Sequence, residues 1–139
     1  RDRSVSRGLG DVYKRQTPYN LAYFVLNVPR ELLYKRIDDR IDEMLKEGLL
    51  EEVQKLKDMG YHRGMVSMQG LGYKEILAYL DGEYPLEEAV RILKRDTRHF
   101  AKRQLTWFRH MEGICWLDAS APDVREQAAC LTNEFLAKG

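Results

Sequence analysis

Three stretches of this sequence carry side chains whose type and spacing could do chemistry. The first is "RIDDR", residues 36–40, set among Leu33, Ile37, Ile41, Met44 and Leu45, which recur at helical spacing. On an ideal helix Arg40 falls roughly 20° from Leu33 and about 40° from Met44, within the apolar stripe. Arg36 lies one turn earlier, on the border of that stripe. An arginine pointing inward needs an anion, because an unpaired buried charge is costly. Its planar fork suits phosphate better than the point charge of lysine. The plainer alternatives are a local pair with Glu43 or Asp39, or a stem laid along the core with its head in water. Spacing alone leaves these open.

The second stretch is "QGLGYK", Gln69, Gly70, Leu71, Gly72, Tyr73 and Lys74. The two glycines let backbone approach a bulky partner, and Gly72 precedes a helix whose free N–H groups favour an anion. Lys74 adds charge, Tyr73 a stacking face and a hydroxyl, and Gln69 an amide able to read a base edge. No third glycine completes a dinucleotide fingerprint, so the motif alone is equally a turn. The third stretch runs from 91 to 110, with seven Lys or Arg against one acid, Asp96. Arg91, Arg95, Arg98, Lys102 and Arg109 fall within about 60° on an ideal helix, opposite Leu86, Val90, Leu93, Phe100 and Phe108. Solvated faces mix charge signs, and a ridge of one sign costs stability unless a polyanion neutralises it. The pattern favours nucleic-acid contact over a bland surface. Thr97 and Gln104 fall inside the apolar stripe, where each needs a hydrogen-bond partner, the neighbouring backbone being the simplest.

The elements that must position these groups are legible from periodicity. "LAYFVLNV" and "ICWLDA" read as short buried strands, with helices at about 30–47, 49–59, 73–80, 86–110 and 122–138. An irregular loop, "YHRGMVSM", leads to the glycine pair. The expectation is therefore an α/β chain, mostly helical, with about five helices and two short strands. Strands so far apart are expected to lie beside strands that this chain lacks, as outer members of a larger sheet. No repeats or low-complexity tracts occur.

With 139 residues, 44% of them hydrophobic, the chain can bury one core. It has no apolar run of membrane-spanning length and no secretory leader pattern, so a soluble cytoplasmic protein is expected. Cys115 and Cys130 stand far apart with three histidines in the chain, which suggests neither a disulfide framework nor a zinc site. Both are read as core residues. Residues 1–16 have five Lys or Arg against two acids and no hydrophobic period. "DVYKRQ" back-translates to a sequence resembling a transposon end used in library preparation, so 1–16 is expected to be a non-native or disordered leader, leaving 17–139 as the native portion.

"LYKRIDDRIDEMLKEGLLEEVQKL", "QGLGYKEILAYLDGE" and "DTRHFAKRQLTWFRHMEGICWLD" resemble the C-terminal part of bacterial tRNA dimethylallyltransferases, over about residues 20–118. The resemblance implies transfer of a dimethylallyl group from dimethylallyl diphosphate to the N6 amine of the adenosine 3′ of the anticodon, with Mg²⁺ on the diphosphate. It implies a P-loop-kinase-like parallel-sheet fold with the two strands outermost, and a monomer. Arg40, with Arg36 as second choice, would hold the departing diphosphate. The anticodon stem-loop would meet Gln69, Gly70, Leu71, Gly72, Tyr73 and Lys74, and Arg98, Lys102, Arg103, Gln104, Thr106, Trp107 and Arg109. The departures are that no GxxxxGK[ST] occurs, and the family's catalytic aspartate and helical insertion have no counterpart here, so no metal ligand is expected in this chain and the stretch alone is expected to be inactive. A non-catalytic RNA-binding helical module and an adenylate isopentenyltransferase are the alternatives.

Overall fold

β-Branched and aromatic residues in "YFVLN" build strand β1, Tyr23–Asn27, and "ICWLD" builds β2, Ile114–Asp118. The structure is a computed structural model that describes residues 19–138, so the leader expected at 1–16 lies outside the described residues. Contacts divide the chain into two units, residues 19–27 with 113–138, and Val28–Glu112.

In the first unit the two strands pair with each other, in parallel, with Tyr23 opposite Ile114 and Asn27 opposite Asp118. This pairing was not foreseen from the sequence, which placed both strands beside strands outside this chain. A parallel pair needs a long crossover, and the whole Val28–Glu112 segment supplies it, so separation in sequence was no bar to pairing. Val25 and Leu117 are the buried members, while Leu26 and Trp116 are exposed. Asn27 O accepts a hydrogen bond from Ala119 N–H at 2.8 Å. The Asp118 carboxylate accepts from the Ser120 hydroxyl and N–H, in that order of effect, and these hold its pKa below the usual range. The closing helix, which we number α5, is Val124–Ala137 and contains no buried residue. Cys130 on it is exposed and Cys115 only half-buried, so neither is the core residue expected. α5 is too weakly amphipathic to seat a side chain fully.

In the second unit, Pro29 opens α1, Arg30–Lys46, its fixed φ suited to a helix start. Gly48, at φ +108°, turns the chain into α2, Leu49–Asp58. A one-turn 3₁₀ segment, Val66–Gln69, lies in the stretch expected to be irregular, and its Met68 is buried. Then come α3, Tyr73–Leu80, and α4, Leu86–Arg109. Ile41, Leu49, Val53, Met68, Ile76, Leu77 and Leu93 form the core, one or more from every element.

α4 packs on α1 and α3, but only through its N-terminal half, where Ala89 and Leu93 are buried. From His99 onward its side chains are exposed or half-buried, with Phe100 at 43% and Trp107 at 61%. The placement of Phe100 and Gln104 on a buried stripe is thereby corrected. A 24-residue helix is about 36 Å long and outruns the elements packed on it within this unit. Truncating Ile76 or Leu93 to Ala should cost about 2–5 kcal/mol each, and Phe100→Ala less than about 1 kcal/mol, read from denaturant midpoints.

Candidate functional site

α1, the glycine loop and α4 converge on a cavity of about 350 Å³ lined by Arg36, Ile37, Arg40, Ile41, Met44, Leu71, Gly72, Leu93 and Thr97. All three stretches singled out by sequence meet here. Five aliphatic or thioether side chains give the cavity its apolar wall, and the two arginines supply its charge. Arg40 is not buried: its side chain is 60% exposed, with Nη1 2.8 Å from Glu43 and 3.7 Å from Glu47. The inward placement expected from the helical wheel gives way to the local pair, because a flexible stem can carry the head out to water and to two acids on the same helix. Among the described residues Arg36 has no carboxylate within 4 Å, so its fork is the free cation of the pair. Thr97 satisfies its hydroxyl on the Leu93 carbonyl at 2.8 Å, as expected of a polar residue on that stripe.

The loop is built around Gly72. Its φ of +100° with ψ of −54° is a conformation that a Cβ disfavours, and it is the loop glycine that requires glycine. Gly70, at φ −62°, does not. The Gly72 N–H donates to Glu75 Oε2 at 2.9 Å, closing the first turn of α3. Glu75 is 2% exposed, packed among core residues, and its Oε1 has no hydrogen-bond partner among the described residues. The Lys74 ammonium, 3.3 Å away, offsets its charge without hydrogen-bond geometry. Sequence reasoning passed over Glu75. The signal was its place three residues after the glycine that starts the helix, where a carboxylate can cap.

Several loop side chains are already occupied within the unit. Tyr73 Oη donates to Glu52 at 2.6 Å, and this bond, with burial, raises its pKa. Its ring packs against the core, so it is not the free stacking face expected. Gln69 Nε2 donates to the Arg63 carbonyl at 2.8 Å. Lys74 also reaches Asp96 at 3.7 Å, tying the start of α3 to α4. Asp96 is held below the usual carboxylate range by the Arg95 hydrogen bond first, with the charges of Arg95, Lys74 and His99 adding and burial opposing. Gly70 is exposed and Leu71 half-buried.

The basic ridge is two halves. Arg91 pairs with Glu88, Lys94 with Asp42 at 2.6 Å, and Arg95 with Asp96 at 2.8 Å. Arg98 Nη1 donates to both oxygens of Asp38 at 2.8 Å. Counting charges along α4 alone overstated the bare charge, because α1 sets Asp38 and Asp42 against it. Beyond Arg98, no carboxylate of the described residues lies within 4 Å of Lys102, Arg103 or Arg109. Arg103 lies over the Phe100 ring at 5.7 Å. Gln104 is exposed. A surface groove of about 610 Å³ follows this end of the helix, lined by His99, Lys102, Arg103, Thr106, Trp107 and His110.

The described residues thus offer an apolar cavity with two arginines at its rim and a helix end whose cations have no carboxylate near them, on a helical α/β chain. The chain belongs to the IPP transferase family, which matches residues 3–111. It is 60% identical over 118 residues to a tRNA dimethylallyltransferase of Lachnoclostridium phytofermentans, covering 85% of this chain and 37% of that protein. A tRNA dimethylallyltransferase of Clostridioides difficile is 52% identical over the same shares of each chain. The solved tRNA isopentenylpyrophosphate transferase of Bacillus halodurans superposes with a TM-score of 0.81 at 41% identity, covering 98% of this chain and 46% of that one. The chain thus spans less than half the length of these relatives, from 37% to 46%.

The two loop glycines separate by experiment. Gly72→Ala should cost about 1–3 kcal/mol from backbone strain, since open space surrounds the added Cβ. Gly70→Ala should stay within about 0.5 kcal/mol of wild type by thermal or urea unfolding.

Proposed function

We propose that this sequence is the C-terminal part of a tRNA dimethylallyltransferase, which transfers a dimethylallyl group from dimethylallyl diphosphate to the N6 amine of the adenosine 3′ of the anticodon. The observation that carries this is the cavity where "RIDDR" meets "GLGY". About 350 Å³ is at the small end of ligand sites, which suits a five-carbon chain. Ile37, Ile41, Met44, Leu71 and Leu93 offer that chain an apolar wall, and Arg36 and Arg40 offer the diphosphate cations. The amine attacks the allylic carbon as its bond to the diphosphate oxygen breaks. The negative charge developing on that oxygen is where a preorganised guanidinium does most for the rate.

The amine's proton would go to the carboxylate of an aspartate, acting as base, which the family resemblance assigns to a region outside this sequence, along with the P-loop. Mg²⁺ on the diphosphate is part of the proposal, but these residues do not fit it: no group of three or more His, Cys, Asp or Glu among those described is placed to hold a metal. Arginine is the cation that this part of the protein supplies. Among the described residues no helix is long and apolar enough to cross a membrane. A cytoplasmic monomer acting on free tRNA is the reading we adopt.

In the full-length protein, Arg36→Ala and Arg40→Ala should each lower the single-turnover rate by roughly 100-fold, while tRNA affinity stays within about threefold. Unchanged chemistry in a folded Arg40→Ala protein would reduce its role to the ion pairs with Glu43 and Glu47.

The free and paired cations of α4 should also differ. Lys102→Gln, Arg103→Gln and Arg109→Gln should each flatten the salt dependence of tRNA binding by about 0.7 to 0.9 in log–log slope, one phosphate's worth of counterions. Arg98→Gln should leave the slope as it is, because Asp38 already neutralises that charge. Anisotropy titrations across a salt series decide it, and parallel plots for all four variants would count against RNA on this face.

A further inference from the structure

The ion pairs between α1 and α4 fix how the two helices run past each other. Arg98 meets Asp38 and Lys94 meets Asp42, so residue numbers rise along one helix as they fall along the other, and the pair is antiparallel. From α1 the cavity takes Arg36, Ile37, Arg40, Ile41 and Met44, and eight residues from Arg36 to Met44 span about 12 Å of helix axis. From α4 it takes Leu93 and Thr97. By the register of the ion pairs, Thr97 stands level with the turn between Arg36 and Arg40, and Leu93 stands level with Met44.

The cavity is therefore polar at one end and apolar at the other. At the first end stand the free fork of Arg36 and the Thr97 hydroxyl, whose proton is spent on the Leu93 carbonyl. At the second stand Leu93 and Met44. Arg40 lies between them, its head out at the rim beside Glu43. A ligand with an anionic head and an apolar tail fits in one direction, since reversal would set the charge against Leu93, which is 2% exposed. Leu93 is part of the core, whereas Met44 is half-buried and packs on that core from its border. Core side chains therefore lie behind Met44, and its unbranched thioether fills the gap in front of them.

We propose that Met44 sets the longest prenyl chain accepted, with the diphosphate at Arg36 and the chain directed along α1 toward the thioether. This rests on the transferase reading above and goes further, because that reading requires an apolar wall of no stated length. A five-carbon chain ends short of Met44, and a ten-carbon chain meets it. Met44 is a specificity-determining residue that takes no part in the chemistry.

The test uses the full-length protein and an anticodon stem-loop, and compares kcat/KM for geranyl diphosphate with that for dimethylallyl diphosphate. The ratio is read within one preparation, so a loss of folded protein cancels. Wild type should favour the shorter donor. Met44→Ala should raise the geranyl-to-dimethylallyl ratio roughly 10- to 200-fold, the range that a small change in an apolar pocket carries. Met44→Val should raise it less, and it decides the matter if the Ala variant is too unstable to assay. Leu45→Ala, which trims a neighbour on the same core that does not line the cavity, should leave the ratio at the wild-type value. An unchanged ratio in the Met44 variants overturns the chain-length role and leaves the transferase reading standing, as does an equal shift from Leu45→Ala or a wild type that uses both donors equally well. A wild-type protein that transfers neither group to the stem-loop sinks the transferase reading itself, and this inference with it.

Discussion

Ile41 of α1, Ile76 and Leu77 of α3, and Leu93 of α4 bury one another, and the helical unit is arranged around that seam. Each such side chain contributes about 1.5–3 kcal/mol when fully withdrawn from water. No single ion pair in the unit approaches that, since these pairs are partly exposed and surface pairs are worth about 0–1 kcal/mol. The seam also makes the cavity: Ile41 and Leu93 both line it, so the surface that holds α1 against α4 is continuous with the surface offered to a ligand. The wall of the site is an extension of the core.

The charges do a different job. Asp38 with Arg98 and Asp42 with Lys94 join α1 to α4 across many residues of chain. Their energy is small, but they set which faces of the two helices meet. In "RIDDR" the acid Asp38 therefore faces α4, while the flanking arginines line the cavity. α4 is thereby divided. Its first half spends its cations on neighbours within the unit, and its second half keeps Lys102, Arg103 and Arg109 for something else. One helix is a core element over its first half and carries exposed cations over its second.

Between these parts sits the loop at Gly72, where backbone geometry is the constraint. The turn into α3 needs a φ of +100°, and the buried Glu75 carboxylate accepts the N–H of that same glycine. With Tyr73 on Glu52 and Lys74 on Glu75 and Asp96, the loop is tied down from three sides. Its residues hold the cavity wall in place more than they reach outward.

Much of the local structure was legible in the sequence. α3 begins and ends at Tyr73 and Leu80 as its spacing predicts, and α1, α2 and α4 differ from expectation by about a residue at their ends. The family resemblance rested on contiguous motifs and likewise survived. These features are local: a helix is specified by side chains three and four residues apart, and its ends by a Pro or Gly beside them. What the sequence alone could not determine is who faces whom. The partner of Arg98 lies 60 residues away, the partner of β1 lies across the whole helical unit, and a helical wheel cannot know where the neighbouring elements stop. So the ridge looked bare along its length, Phe100 and Gln104 looked buried, and Cys130 looked like core. Periodicity tells which face of a helix is apolar. Only tertiary packing decides how far along that face is covered, because coverage depends on the length and position of other elements, and those are set by contacts between residues distant in the chain.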